Sequence, residues 1–281
     1  MAKNMPFQKE ITMPNPINKG TALITGASTG IGAVYADRLA KRGYDLILVA
    51  RSQDNLNDVA KRIQSTTTIK LETLQADLTV LADVKRVAER LANDNSITAL
   101  VNNAGVAAAS KLLESDVDYL DQMIQLNVSA FTRLALAAAA SFAARANGLI
   151  INIGSIVALA PELLNGVYSG TKAYVQNFST ALKNDLAGKG VTVQVVLPGA
   201  TATPLWGKAG VPLDNLPAEW VMSAEDMVDA SLAGLDQGEF ATIPALPEAA
   251  DFDAYEKARL ALAPNLSHKH PAARYGVGAQ K

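Results

Sequence analysis

Short apolar runs alternating with helical patterns constrain this chain more than any other feature. The runs are Thr21–Thr25, Asp45–Ala50, Leu71–Gln75, Ala99–Asn102, Leu149–Ile153, Val191–Leu197 and a weaker one at Phe240–Ile243. Between them the spacing predicts helices near residues 30–42, 54–65, 80–93, 116–145, 167–187 and 223–236. Runs that are apolar at successive positions suit strands covered on both faces, which means a parallel sheet. Strict strand–helix alternation then requires right-handed crossovers and helices on both sides. The expected class is α/β, a doubly wound parallel sheet of about seven strands.

The 281 residues, 49% hydrophobic and 19% charged, suffice for a large core and exclude a disordered chain. No internal repeat or interior linker divides them, so a single domain is expected over residues 19–250. An arm (1–18) precedes it, and a tail (251–281) with one short helical pattern, Tyr255–Leu262, follows. A formal net charge of −2 argues against a nucleic-acid or acidic-membrane surface. There are no cysteines, hence no disulfides, thiolate metal sites or Cys nucleophiles. Both histidines, His268 and His270, lie in the tail. Exposed tail residues are a simpler account of them than a metal site or a Ser–His–Asp triad, and no metal is expected. Met1–Lys19 holds no apolar stretch long enough for a signal sequence. The most lipid-like run, Leu134–Ala144, is short and bracketed by Arg133 and Arg145, so a buried helix is expected rather than a membrane span. The expected location is cytoplasmic.

The first strand runs into Gly26-Ala27-Ser28-Thr29-Gly30-Ile31-Gly32, and a helix follows. Such a turn lets backbone N–H groups approach a pyrophosphate and aims a helix N-terminus at it. Glycine is needed where a Cβ would block that approach or clash at positive φ. Dinucleotide folds read the adenosine ribose about 20 residues further on. There the second strand ends Ala50-Arg51, with no acid to accept from a free 2′-hydroxyl. The arginine fork suits a 2′-phosphate, so NADP is expected over NAD.

The fifth strand ends at Ser155, and Tyr168 and Lys172 follow at i and i+4 on one helix face. Carbonyl reduction needs a hydrogen-bond donor on the oxygen and then a proton. A phenol of pKa ~10 is a poor base near neutrality. A neighbouring ammonium, and the charge of an oxidised nicotinamide, would lower that value. A drop of ~3 units needs ~4 kcal/mol, which two nearby cations could supply. Ala200–Trp220, rich in Pro, Gly and bulky apolar residues, reads as a lid over a binding cleft rather than an ordinary surface loop.

These pieces together resemble the short-chain dehydrogenase/reductase family, in its shorter soluble branch. The matching motifs are Thr25–Gly32, Asp77-Leu78, Asn102-Asn103-Ala104-Gly105, Asn127, Ser155, Tyr168–Lys172, and Pro198-Gly199 with Thr203. They run in the family's order from about residue 20 to 204. The resemblance implies a Rossmann-type sheet and a nicotinamide cofactor. It makes Tyr168 the acid/base, with Lys172 binding the nicotinamide ribose and tuning it. Ser155 would hold the substrate oxygen, and Asn127 would support a water in a proton relay. Gly26, Ser28, Thr29, Gly30, Ile31 and Gly32 would cradle the cofactor. Asp77 and Leu78 would meet the adenine, Asn103, Ala104 and Gly105 would line the cofactor, and Pro198, Gly199 and Thr203 would contact its nicotinamide end. Some NADP-using members carry a basic residue where this chain has Thr29, which leaves Arg51 as the main selector. Members usually assemble as dimers or tetramers through the fourth and fifth helices. In this chain small residues at Ala135–Ala140 allow close helix approach, though the same stretch could pack inside the monomer.

The expected function is NADPH-dependent hydride transfer between nicotinamide C4 and a ketone or secondary alcohol, medium-sized and hydrophobic. The cleft would be framed by Val106–Ala109, Ala160–Leu164 and Pro204–Trp220, with Glu162 the polar exception. The alternative is a catalytically silent NADP(H)-sensing protein on the same fold, which would be expected to have lost part of the Asn127, Ser155, Tyr168 and Lys172 set. An epimerase or dehydratase relative usually needs a larger C-terminal substrate domain than this tail offers.

Overall fold

The computed structural model describes residues 19–277 apart from Val211, and its contacts divide the chain into two units, Met1–Pro244 and Ala245–Lys281. The arm expected at 1–18 lies outside the described residues. The first unit holds β1 (Thr21–Thr25), α1 (Gly30–Lys41), β2 (Asp45–Ala50), α2 (Gln53–Gln64), β3 (Leu71–Gln75), α3 (Leu81–Asn93) and β4 (Ile97–Asn102). These are followed by α4 (Val117–Ile124), α5 (Phe131–Ala144), β5 (Gly148–Ile153), α6 (Gly166–Asp185), β6 (Val191–Val196), α7 (Leu205–Lys208), α8 (Ala224–Asp236) and β7 (Ala241–Thr242).

The strands form one seven-stranded sheet of order β3-β2-β1-β4-β5-β6-β7, parallel at every pairing. Strand side chains alternate between two cores. Ala22, Ile24, Leu46, Leu48, Ala99, Val101, Ile151 and Val196 pack on one face with Tyr35 and Leu39 of α1, Leu56 and Ile63 of α2, and Met227 and Leu232 of α8. Leu23, Ile47, Val49, Leu100, Ile150 and Val193 face the other way, onto Val87 and Leu91 of α3, Leu134, Ala138 and Phe142 of α5, and Leu182 of α6. Burial on both faces is why the strands read as unbroken apolar runs. The lipid-like run Leu134–Ala144 contributes its buried face to this second core.

The helix expected over 116–145 is not uniform. Asp116 caps α4, its Oδ1 accepting from Asp118 N at 2.9 Å. A π-helical turn, Gln125–Ala130, then separates α4 from α5. In the second unit, α9 (Ala249–Ala261) starts earlier than the pattern at Tyr255–Leu262 suggests, because Ala249 and Ala250 after Pro247 are good helix formers. It buries none of its residues, and its Phe252 and Tyr255 rings stack 5.9 Å apart.

Candidate active site

Strand order reverses between β1 and β4, and a crevice opens at such a switch point beyond the carboxyl ends of the strands. Thr25, the last residue of β1, holds its two sides together. Its Oγ1 accepts from Asn103 N at 3.0 Å and Ala104 N at 2.9 Å, and Asn103 Nδ2 donates to Thr25 O at 2.9 Å. The Asn103 side chain is thus bonded into the strand end. Thr25 stood in the sequence motif without a role of its own.

Gly26 and Gly30 adopt φ of +66° and +54°. A Cβ on Gly32 would collide with the Gly26 carbonyl oxygen, and one on Gly30 would come within 2.9 Å of Thr203 Cγ2. Thr203 therefore packs over the turn, as Ile31 packs into the first core. Thr29 precedes α1 without forming a side-chain cap, and the first turn of α1 has no acidic residue. Among the described residues no side chain caps those N–H groups, which suits them to an anion. Arg51 is exposed just past β2, and among the described residues its guanidinium has no hydrogen bond or ion pair. Asp77 closes the turn after β3: its Oδ1 accepts from Thr79 N at 2.9 Å and Thr79 Oγ1 at 2.7 Å, with Leu78 buried beside it.

Four further residues converge past β4 and β5. Asn127, in the π-helical turn, grips the backbone of Val106: Oδ1 accepts from Val106 N at 3.0 Å, and Nδ2 donates to Val106 O at 2.8 Å. Its Nδ2 also donates to Thr171 Oγ1 at 3.2 Å, on α6. Lys172 Nζ donates to Ile153 O at 3.0 Å and lies 5.9 Å from the centre of the Tyr168 ring. Ser155 Oγ donates to Pro198 O at 3.4 Å and accepts from Val157 N at 3.3 Å, which ties β5 to the chain leaving β6. A Cβ on Gly105 would sit 3.1 Å from Asn127 Oδ1 and 3.7 Å from Lys172 Nζ, so the bare glycine keeps this corner open. Gly199 O accepts from Thr201 Oγ1 at 3.1 Å along the same rim.

The electrostatics run against the sequence expectation. Burial pushes the Tyr168 phenol up to about 12, offset only in part by the nearby Ser155 hydroxyl. Burial likewise pulls Lys172 down to about 8. A spacing of i and i+4 announces proximity but not desolvation, and desolvation is the larger effect for both groups.

Asn165, absent from the sequence reading, is the N-cap of α6. Its Oδ1 accepts from Val167 N at 2.9 Å and Tyr168 N at 3.4 Å, so it sets the start of the helix that carries Tyr168. An asparagine directly before a helical pattern is the signal that would have found it.

Tyr168 shares an apolar cluster with Ala107, Ala108, Met123 and Val157, and Val106, Leu164, Leu205 and Ala209 pack against it. Each of the three expected framing segments thus contributes to the cluster that contains Tyr168. Glu162, Leu163 and Trp220 are exposed instead. Trp206 is half-buried, its Nε1 donating to Thr201 O at 2.9 Å.

The site's donor set fits a nicotinamide dinucleotide: an uncapped helix N-terminus for the pyrophosphate, glycines that allow close approach, and a buried ammonium with one carbonyl partner and donors to spare. Comparison with known proteins agrees. A short-chain dehydrogenase from Sphingobium yanoikuyae in complex with NADPH superposes with a TM-score of 0.87 at 44% identity, covering 90% of this chain and 98% of that one. The bulky-bulky ketone specific alcohol dehydrogenase from Comamonas testosteroni gives 0.85 at 41% identity, covering 92% and 99%. Very-long-chain 3-oxoacyl-CoA reductase-A of Danio rerio is 34% identical over 208 residues, which are 73% of this chain and 65% of that protein. Residues 20–211 match the short chain dehydrogenase family, and with the geometry above they make this chain a member of that family and an oxidoreductase.

Proposed function

We propose that the chain is an NADPH-dependent carbonyl reductase, reversibly an alcohol dehydrogenase, acting on medium-sized hydrophobic ketones. The observation that carries this is the convergence of a buried phenol and a buried ammonium beside the Ser155 hydroxyl, at the mouth of a glycine-lined crevice. When bound, the dinucleotide supplies the hydride that adds to the carbonyl carbon and takes it back in the reverse direction. Arg51 would face the 2′-phosphate, and the NADPH in the Sphingobium structure supports that preference. Gly26–Gly32, Asp77-Leu78, Asn103–Gly105, Pro198, Gly199 and Thr203 would line the remainder.

In reduction, Tyr168 donates a hydrogen bond to the ketone oxygen, and Ser155 donates a second by turning its one O–H away from the Pro198 carbonyl. As that oxygen becomes an alkoxide, Tyr168 gives it a proton. The raised phenol pKa keeps Tyr168 in the acid form this step requires, and an alkoxide is the stronger base, so the transfer runs downhill. Lys172 favours the phenolate that remains, and Asn127 holds the Val106 backbone beside the reacting pair. The apolar lining and the ketone named for the Comamonas enzyme support a hydrophobic substrate. Assembly as a dimer or tetramer would use the outer faces of α5 and α6, where exposed Leu136 lies on one helix and half-buried Tyr174 and Phe178 on the other.

The test is Tyr168→Phe, which removes one hydroxyl. Its turnover of aryl ketones with NADPH should fall ~10²- to 10⁴-fold while NADPH affinity and the circular dichroism spectrum persist. A folded variant keeping most of its turnover refutes the acid role. Tight NADPH binding with no carbonyl reduced by the wild type favours the sensor.

A further inference from the structure

Two loops send apolar side chains into the cluster that holds Tyr168, and each also carries some that the cluster leaves out. Past β4, Val106–Ala108 pack into the Tyr168 cluster, and the next turn, Leu112–Glu114, leaves Leu112 more than half exposed and Leu113 fully so. Past β5, Val157 is buried in the cluster, while Leu163 in the turn Pro161–Leu163 is 54% exposed. Both outer turns lie against the first turn of α6. Leu112 Cδ1 lies 3.3 Å from where a Cβ on Gly166 would be, and Ser169 Oγ donates to Pro161 O at 3.0 Å.

Asn165 fixes the first of these turns. It is 3% exposed and spends its side chain in two directions. While Oδ1 caps α6, Nδ2 donates to Ser110 O at 2.8 Å and Ser115 Oγ at 3.0 Å. Ser115 Oγ in turn donates to Lys111 O at 2.9 Å. One amide therefore binds the helix of Tyr168 to both ends of the turn that displays Leu112 and Leu113. Grouped exposed apolar side chains mark binding surfaces, and Leu112, Leu113 and Leu163 lie on the same two loops that carry Ala107, Ala108 and Val157 of the Tyr168 cluster.

We propose that Asn165 is a specificity-determining positioning residue, latching segment 110–115 to α6 so that Leu112, Leu113 and Leu163 form an outer wall for the second apolar substituent of a ketone flanked by two large groups. This rests on the carbonyl-reductase reading above and adds to it where the second substituent lies. The inner cluster takes the first group and the outer wall the second.

The test compares phenyl methyl ketone with phenyl pentyl ketone, using NADPH consumption, for the wild type, Asn165→Asp and Ser115→Ala. Aspartate keeps the helix cap but loses the amide donor and sets a carboxylate against Ser110 O. Asn165→Asp should lower the ratio of kcat/KM for the pentyl over the methyl ketone about tenfold, through KM rather than kcat, as expected for one buried hydrogen bond. Ser115→Ala, which leaves the cap untouched, should shift the ratio the same way by less and covers the case in which the aspartate variant does not fold. Amide hydrogen exchange over residues 106–117 should quicken in both variants. Equal losses on the two ketones would overturn the specificity role, and unchanged exchange would overturn the latch. A wild type that reduces neither ketone would overturn the carbonyl-reductase reading and the specificity role with it, while the exchange measurement would still decide the latch.

Discussion

Replacing Lys172 with methionine should stabilise the protein at neutral pH while disabling it. Burial lowers the Lys172 pKa from 10.5 to about 8, a difference of about 2.5 units, or ~3 kcal/mol. Below pH 8 the ammonium is charged in both the folded and unfolded chains, and the folded state bears that cost in full. Between about pH 8 and 10.5 the folded chain releases the proton while the unfolded chain keeps it, so wild-type stability rises across this window. Methionine has similar length and no charge to desolvate, but it strands the Ile153 carbonyl that Lys172 reaches at 3.0 Å, returning ~1 kcal/mol or more. The net gain at pH 7 is ~1–2 kcal/mol, or roughly 2–8 °C in Tm for a domain of this size. Thermal unfolding followed by circular dichroism should show the variant melting higher at pH 7 and the gap closing by pH 10. For activity, a unit charge 5.9 Å from the ring at an effective dielectric constant of ~20 is worth ~3 kcal/mol, about 2 pKa units on the phenol. That charge is present only below about pH 8, so alcohol oxidation at pH 7 should fall ~100-fold in the variant and the deficit should shrink above pH 8. A variant that melts below the wild type at pH 7, or a gap unchanged between pH 7 and 10, would refute the assignment of a costly buried ammonium.

Arg51→Glu should weaken NADPH binding ~10- to 100-fold by fluorescence titration and leave NADH within a few fold, since on the proposed reading only the 2′-phosphate would meet the guanidinium; equal losses would point to another selector. Gly32→Ala should abolish dinucleotide binding in the same titration and lower Tm, because the added Cβ collides with the Gly26 carbonyl; retained affinity would mean that the turn relaxes freely. Trp206 and Trp220 are the two tryptophans, so Trp220→Phe isolates the half-buried one. Its emission and acrylamide quenching should change when NADPH and ketone are added together, and a flat response removes support for closure of the 200–220 segment.

What could be read from the sequence depended on whether a feature has a period. Ile24, Leu48, Val101 and Ile151 lie in runs that stay apolar at successive positions because both faces of the sheet are covered, and that alone indicates a parallel order. The split at Gln125–Ala130 leaves no such trace. A π-helical turn uses the same residue types as the α-helix around it, so a 3.6-residue pattern passes through it unbroken. Yet this turn decides where Asn127 meets Val106. Thr25 and Asn103 show the same limit. Their letters are visible in the motifs, but which atoms pair across the crevice depends on how β4 is registered beside β1.

The charge state at Tyr168 was illegible for a deeper reason. Sequence spacing brings a lysine to a tyrosine and invites the inference of a lowered phenol pKa. Burial acts on both groups in the opposite sense, favouring the neutral phenol and the neutral amine. The two effects differ in range. The attraction acts between two side chains, whereas desolvation sums over everything packed round them, including Val157 and Ala107 beside Tyr168. Local spacing can report the first and not the second. The protein's own groups therefore hold Tyr168 as an acid, the form that serves reduction. Oxidation near pH 7 would require drawing the phenol down from about 12, which takes ~7 kcal/mol of added positive potential. Lys172, itself inclined to lose its proton near pH 8, can supply only part of that.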